Sequence, residues 1–315
     1  MAGEGRGSDM LEDRCDYFIL AYDSPSFSAA AAKVPMSPQG FAKAIHNLER
    51  DLGVPLFVLG DDGVRRPTPY AEEFYEYARH VQSERNLLAG AFECIAKSGY
   101  LEIRIASSLG VFGMLGPDFL DGFKREHPDA SVTINELPDS LCESLLRDGL
   151  YDLALTILPS PDDFATVPLY SSPVEYWVHR DDPLSGRERL GLADLSGRKV
   201  AIPGREYKCH HALLAACERA GVEPPELVEC SEIFWIYEFA QRGECLGFCL
   251  PHLARLDVFA GEKVRAVPLE GLAWAFGISH LKTRSLSRRE QDFVDYVAKR
   301  AGALRTASAR GIVAR

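Results

Sequence analysis

The chain has 315 residues, with 35 Lys and Arg against 46 Asp and Glu for a formal charge of −11, and 46% of its residues are hydrophobic. That length exceeds what one core organises, so two or three domains are expected, and the apolar content excludes disorder along the whole chain. No window approaches about 18 uninterrupted apolar residues and MAGEGRGSDM has no apolar signal core, so the expected location is the cytoplasm, away from any membrane. The acidic total argues against wholesale nucleic-acid binding while leaving room for one small basic surface.

Residues 1–9 are Gly-rich and polar and are expected to be disordered. From Leu11 the pattern is helical, with Leu11, Cys15, Phe18 and Ile19 on one face. Ser26 or Ser28 can cap the Ala-rich segment that follows, whose small side chains let another helix approach closely. After the Val34-Pro35-Met36 break, Ser37 offers an N-cap and Pro38 the first helical position. Phe41, Ile45, Leu48 and Leu52 then form the buried face, and Gly53 is placed for a left-handed cap. Two helices across a tight turn make a helix-turn-helix, and the strand-like segment with Arg65 and Arg66 reads as a β-wing.

A single long helix is expected over 70–98. Phe74, Ala78, Val81, Leu88, Phe92 and Ile95 keep a heptad seam along it, the pattern of a dimerising linker. From Tyr100 the period changes. LEIRIASS, SVTINELP and YDLALTILP read as strands around GMLGPDFLDGFKREHP and SLCESLLRDG as helices. A second set follows, with VEYWVHR, RKVAIPG, ELVECS, CLGFCL and AWAFGISHL as strands. Its helices lie near HHALLAACERAG, IFWIYEFAQRG and SRREQDFVDYVAKRA. This alternation predicts an α/β region with a mainly parallel sheet in two halves and a cleft between them. The last residues, 305–315, read as a flexible tail.

The stretch SFSAAAAKVPMSPQGFAKAIHNLERDLGVPLF, with GVRRPTPYAEEF after it, resembles the LysR-type transcriptional regulators. The Ala-rich helix, the S-P-Q recognition-helix start, I-x-x-L-E and L-G-x-x-L-F fall at that family's spacing. DLALTILP and GECLGFCLP are similar to its C-terminal motifs. The resemblance implies an all-α winged helix-turn-helix domain (10–69), a linker and dimerisation helix (70–98), and a periplasmic-binding-protein-like effector domain (99–304). Lobe I of that domain would span about 99–168 and 272–304, and lobe II about 169–271. It implies a homodimer or homotetramer that binds double-stranded operator DNA and answers to a small-molecule effector, without catalysis and without a cofactor or metal.

The residues fit that chemistry. Gln39 suits a bidentate pairing with adenine, Lys43 one turn on reaches guanine or phosphate, and Gly40 permits close approach. Ser28, Ser37 and Pro38 open helices whose amides suit a phosphate, and Arg65 and Arg66 would reach the backbone or minor groove. Over 27–69 the cations outnumber the carboxylates by one, and Val58 stands where the family commonly has Arg, so few phosphate contacts and a shallow salt slope are expected. In an open α/β sheet ligands sit beyond the strand carboxyl ends. That places Ser107, Ser108, Ser140, Thr156 and the segment after Pro203 at the effector cleft, with the Leu109 and Gly110 amides available to a carboxylate. Tyr207, His210, His211 and Trp235 offer stacking for an aromatic effector.

Cys209-His210-His211 and Cys217 leave several chemistries open: incidental buried thiols, a redox pair, a metal site with Cys245 or Cys249, or a Cys/His nucleophile. On one helix the two thiols are separated by about 12 Å of rise. A disulfide needs α-carbons within about 7 Å, so that helix would have to unwind. A thiol-based redox-sensing regulator using Cys209 and Cys217, and a solute-binding module without a DNA role, are therefore the competing functions.

Overall fold

The computed structural model describes residues 5–60, 63–98, 102–116 and 118–309, with side chains for 14–60, 63–92, 102–116 and 118–302. Residues 1–4 and 310–315, expected to be loose, lie outside it. The chain divides into two units, one of residues 1–97 with 147–150 and one of 98–146 with 151–315.

The first unit opens with α1 (Gly5–Tyr22), α2 (Phe27–Ala31) and α3 (Pro38–Leu52). The first helix begins at Gly5, so helix already covers part of the segment expected to be disordered. Ser26, and not Ser28, caps α2, accepting from Ala29 N at 3.1 Å. Ser37 caps α3, accepting from Gly40 N at 3.1 Å, and Gly53 closes that helix with φ 73°. Phe41 and Ile45 of α3 bury against Ala21, Ala30 and Ala31, where only small side chains leave the room. Leu48 joins Cys15, Phe18, Ile19 and Leu56 in the adjoining cluster. Next come β1 (Phe57–Leu59) and β2 (Arg65–Pro67), an antiparallel pair, then α4 (Pro69–Ser98). Thr68 caps α4 and also donates to Pro55 O, fixing the exit from the wing.

In the second unit β3 (Glu102–Ser108) leads into α5 (Val111–Leu115) and α6 (Phe119–Glu126), the single helix expected there being interrupted at Gly116, which has φ 90°. Then follow β4 (Ser131–Leu137), α7 (Asp139–Arg147), β5 (Leu153–Ile157) and β6 (Phe164–His179). The chain continues through β7 (Lys199–Ile202), α8 (Lys208–Ala220), β8 (Glu226–Glu229), α9 (Ile233–Gln241), β9 (Leu246–Cys249), β10 (Val264–Leu281) and α10 (Arg288–Ala309). Residues 305–309, expected in the tail, are thus helical.

The eight strands run β4-β3-β5-β10-β6-β9-β7-β8. The sheet is mixed where a mainly parallel one was expected. β3 pairs in parallel with β4 and β5, and β7 with β8 and β9, while β10 and β6 run antiparallel to each other through the middle. These two long strands cross from one half to the other, with register shifts between Pro268 and Ala273 and between Phe276 and Gly277. Lobe I is β3, β4 and β5 with α5, α6, α7 and α10; lobe II is β7, β8 and β9 with α8 and α9. The two crossing strands are the hinge, and the cleft opens beside it.

Candidate functional site

The α3 surface has a polar face because its apolar residues fall on the other side. Ser37, Pro38, Gln39 and Lys43 are exposed while Phe41, Ile45 and Leu48 are buried; Leu52, expected with them, is 40% exposed in the last turn. Ser28 is exposed at the start of α2. Glu49, the acidic residue of the I-x-x-L-E motif, turns inward and accepts from Leu56 N at 2.8 Å and Phe57 N at 3.0 Å. Its charge therefore anchors the wing and is not spread over the outer face.

The wing arginines separate. Arg66 is exposed on β2. Arg65, expected at the DNA backbone, faces inward: its guanidinium donates to Ala21 O at 2.5 Å and Ser24 O at 2.7 Å. It also lies 4.2 Å and 4.3 Å from the Phe27 and Phe57 ring centroids. Burial lowers the Arg65 pKa from its ordinary value.

In the second unit a cavity of about 510 Å³ opens between the end of β5, the hinge and one face of α8. Val174, Leu272, Ala212, Ala215 and Trp274 form its apolar walls, and Lys208, His211 and Arg219 supply its charged or polar ones. Lys208 Nζ is taken by the carbonyls of Ile157 and Pro159, at 2.8 and 2.7 Å, and by the Glu143 carboxylate. Asp139, almost fully buried at the start of α7, accepts from Lys208 N at 2.6 Å. Burial pushes the Asp139 carboxyl up, opposed by the hydrogen bonds it accepts and by the Lys208 charge.

The sequence-predicted cleft residues disperse around this arrangement. Ser107 and Ser108 are fully buried at the end of β3, with Ser108 beside Asp139 and Cys142. Ser140 is exposed, its N–H donating to Glu206 O at 3.3 Å across the cleft. Tyr207 lies near Ser231 and the carboxylates of Glu206, Asp139 and Glu136, and burial raises its phenol.

Four expectations change. Thr156 does not face the cleft: it is buried, hydrogen-bonded to Ser279 Oγ at 2.9 Å, which in turn meets Thr166 Oγ1 at 2.8 Å. His210 is buried and donates from Nδ1 to Pro203 O at 3.3 Å, which occupies both residues internally. Trp235 stands half exposed on the outer side of α9 with Phe234, and the aromatic wall of the cavity is Trp274 instead. The Gly110 N–H, expected to be open to a carboxylate, is 3.4 Å from Glu136 Oε1.

Sequence reasoning missed Asp139, Glu143, Lys208 and Trp274. An Asp after Pro138 at a helix start was the one visible signal, since it reads as a cap.

Cys209 and Cys217 sit on one continuous helix, and burial raises both thiol pKa values, with Asp139 adding to the shift at Cys209. Among the described residues no three His, Cys, Asp or Glu side chains are grouped to hold a metal ion. Among them also, no helix is long and apolar enough to cross a membrane.

A three-helix DNA-reading domain with a wing, followed by a two-lobed α/β domain with a hinged cleft, defines a ligand-responsive DNA-binding regulator. The family model "Bacterial regulatory helix-turn-helix protein, lysR family" matches residues 13–72, and "LysR substrate binding domain" matches 98–302. The chain belongs to the LysR family of transcriptional regulators. It is 25% identical over 291 residues to the uncharacterized HTH-type transcriptional regulator YybE of Bacillus subtilis, covering 90% of this chain and 97% of that one. It is 25% identical over 236 residues to the HTH-type transcriptional regulator BenM of Acinetobacter baylyi, covering 72% and 76% of the two chains. A solved mutant OxyR of Corynebacterium glutamicum superposes with a TM-score of 0.59 at 19% identity, over 96% of both chains, which shows the shared fold.

Proposed function

We propose that this LysR-family regulator reads operator DNA through the exposed first turns of α3, with Gln39 and Lys43 at base edges. Ser28, Ser37, Pro38 and Gly40 line the phosphate approach, and Arg66 on the wing holds the backbone. The observation that carries this reading is the division of α3: Phe41, Ile45 and Leu48 are buried, while Gln39 and Lys43 stand exposed on its opening turns. The phosphate-contacting set is smaller than the sequence suggested, because Arg65 is committed internally.

The effector enters the cleft between β5, the hinge and α8, where Lys208, His211 and Trp274 line the cavity, with Ser140 and Tyr207 on the segments joined beside Lys208. It acts by binding two lobe arrangements unequally, since a ligand shifts only an equilibrium whose states it distinguishes. The protein works without catalysis, in the cytoplasm. It works as a homodimer or homotetramer: Leu88 and Phe92 of the α4 seam stand 54% and 62% exposed, a stripe suited to a second copy.

The thiol-sensor reading has weaker support. A peroxide-reactive cysteine needs thiolate character, and burial opposes it at Cys209 and Cys217.

The test is enrichment of genomic fragments by the purified full chain at about 0.1 M salt, beside a Gln39→Ala/Lys43→Ala variant. Discrete fragments retained by the parent and lost by the variant are expected. Failure of the parent to enrich any fragment, with or without cell metabolites, overturns the DNA-reading assignment.

A further inference from the structure

The two lobes are joined by more than the hinge. Lys208, the first residue of α8 in lobe II, sends its side chain across the cleft into lobe I. Its ammonium donates to Ile157 O at 2.8 Å and Pro159 O at 2.7 Å, and the Glu143 carboxylate forms an ion pair with it. The same residue's N–H donates to Asp139 Oδ2 at 2.6 Å, and Ser140 N–H meets Glu206 O at 3.3 Å beside it. All five contacts link the 206–208 segment to lobe I, and none depends on the two crossing strands.

One carboxylate and two carbonyls around an ammonium, set in the wall of an apolar cavity, form a site for a primary amine. Here the chain supplies the amine itself. A tethered group meets its acceptors at an effective concentration fixed by its own backbone, so it occupies the position without any free ligand.

We propose that Lys208 is the built-in occupant of an ammonium subsite in the effector cleft, a positioning residue that holds the two lobes together in the ligand-free chain. This rests on the cleft being the effector site. It also sets the class of effector. The cation position is already filled, so a molecule entering the remaining space is an uncharged or anionic apolar one that leaves Lys208 in place. The walls agree, since Val174, Leu272, Ala212, Ala215 and Trp274 offer no carboxylate to a second cation, and the polar lining toward Arg219 and His211 is basic.

The experiment is hydrogen exchange of the full chain, read over the amides of residues 139–147 and 208–212. Lys208→Ala removes the three carbons beyond Cβ together with the ammonium, the outline of n-propylammonium. Exchange over both segments is expected to rise at least tenfold in the variant. Added n-propylammonium should restore protection saturably in the variant and change nothing in the parent. Equal concentrations of 1-propanol, which has the volume without the charge, should fail to restore it.

Unchanged exchange in Lys208→Ala, absence of rescue, or equal rescue by 1-propanol overturns the proposal. A Glu143→Gln variant keeps the packing should Lys208→Ala fail to fold. It must show faster exchange over 208–212, and parental exchange there overturns the proposal as well. If the amine rescue succeeds while no small molecule alters DNA binding, the latch stands and the effector reading of the cleft falls.

Discussion

Replacing Arg65 by Met tests whether this wing arginine is an internal tie or a DNA contact. The substitution keeps much of the stem between Phe27 and Phe57 but removes the donors to Ala21 O and Ser24 O. Hydrogen bonds from a charged donor contribute about 1.5–3 kcal/mol each, and a cation over an aromatic ring about 0.5–2 kcal/mol. The freed carbonyls regain water and the Met stem retains packing, so the expected loss is about 2–4 kcal/mol, well under the sum. Hydrogen exchange of the α3 amides measures this domain alone, which avoids assuming two-state melting of a multidomain chain. That loss should accelerate exchange roughly 30- to 700-fold at the converted rate of tenfold per 1.4 kcal/mol. DNA binding supplies the contrast. Arg66→Met should reduce the slope of log affinity against log salt by about 0.9, the value for one phosphate contact, while Arg65→Met should leave the slope of the folded fraction unchanged. Parental exchange in Arg65→Met together with a lost unit of salt slope would show that Arg65 points to DNA and that the inward geometry is wrong.

Ser26→Ala removes the cap of α2 and should cost about 1 kcal/mol, seen as faster exchange at Ala29 and Ala30, with Ser28→Ala nearly silent in the same assay. Thr156→Val breaks one link of the Thr156–Ser279–Thr166 chain and should lower stability by about 1 kcal/mol in denaturant unfolding; an altered effector response with parental stability would return Thr156 to the cleft. Burial drives His252 from an ordinary value of 6.5 down to about 4, the Gly110 backbone hydrogen bond opposing that shift. Between those values the unfolded chain binds the extra proton, so His252 contributes stability that is present above pH 6.5 and is lost as pH falls through the window toward 4. His252→Gln should therefore flatten the pH dependence of stability over that range relative to the parent; parallel curves would contradict the burial.

Local chemistry was the most readable part of the sequence. Ser37, Pro38 and Gly53 marked both ends of α3, and the spacing of Phe41, Ile45, Leu48 and Leu52 gave its buried face for all but Leu52, which the helix end leaves exposed. The hinge was half hidden. The second half of β6 was visible as VEYWVHR, but Pro168 and Pro173 interrupt its first half, and Pro268 and Gly271 do the same in β10. Those residues suppress the apolar alternation by which a strand is recognised. The site was harder still. The strand-end rule treated Ser107, Ser108, Ser140 and Thr156 alike, and it could not tell the exposed Ser140 from Ser107 and Ser108, which are buried, or from Thr156, whose side chain turns into the sheet. The Asp139–Lys208 contact joins residues 69 positions apart, and no periodicity encodes it. Trp235 and Trp274 looked alike as sequence, and only packing decides which ring meets the cavity.

The path of the chain through the hinge sets an order for synthesis. Lobe II is made between two parts of lobe I: β5 needs β10 as its neighbour, with Ile157 opposite Phe276, and the Phe119 and Phe123 rings need Phe293 of α10. On the ribosome, the early part of lobe I therefore waits, its aromatic face uncovered, until nearly the whole polypeptide has emerged. The DNA-reading domain has no such delay, because its core is drawn from residues 15–81. A nascent chain arrested near residue 285 would carry a finished DNA-reading head on an effector domain still lacking α10.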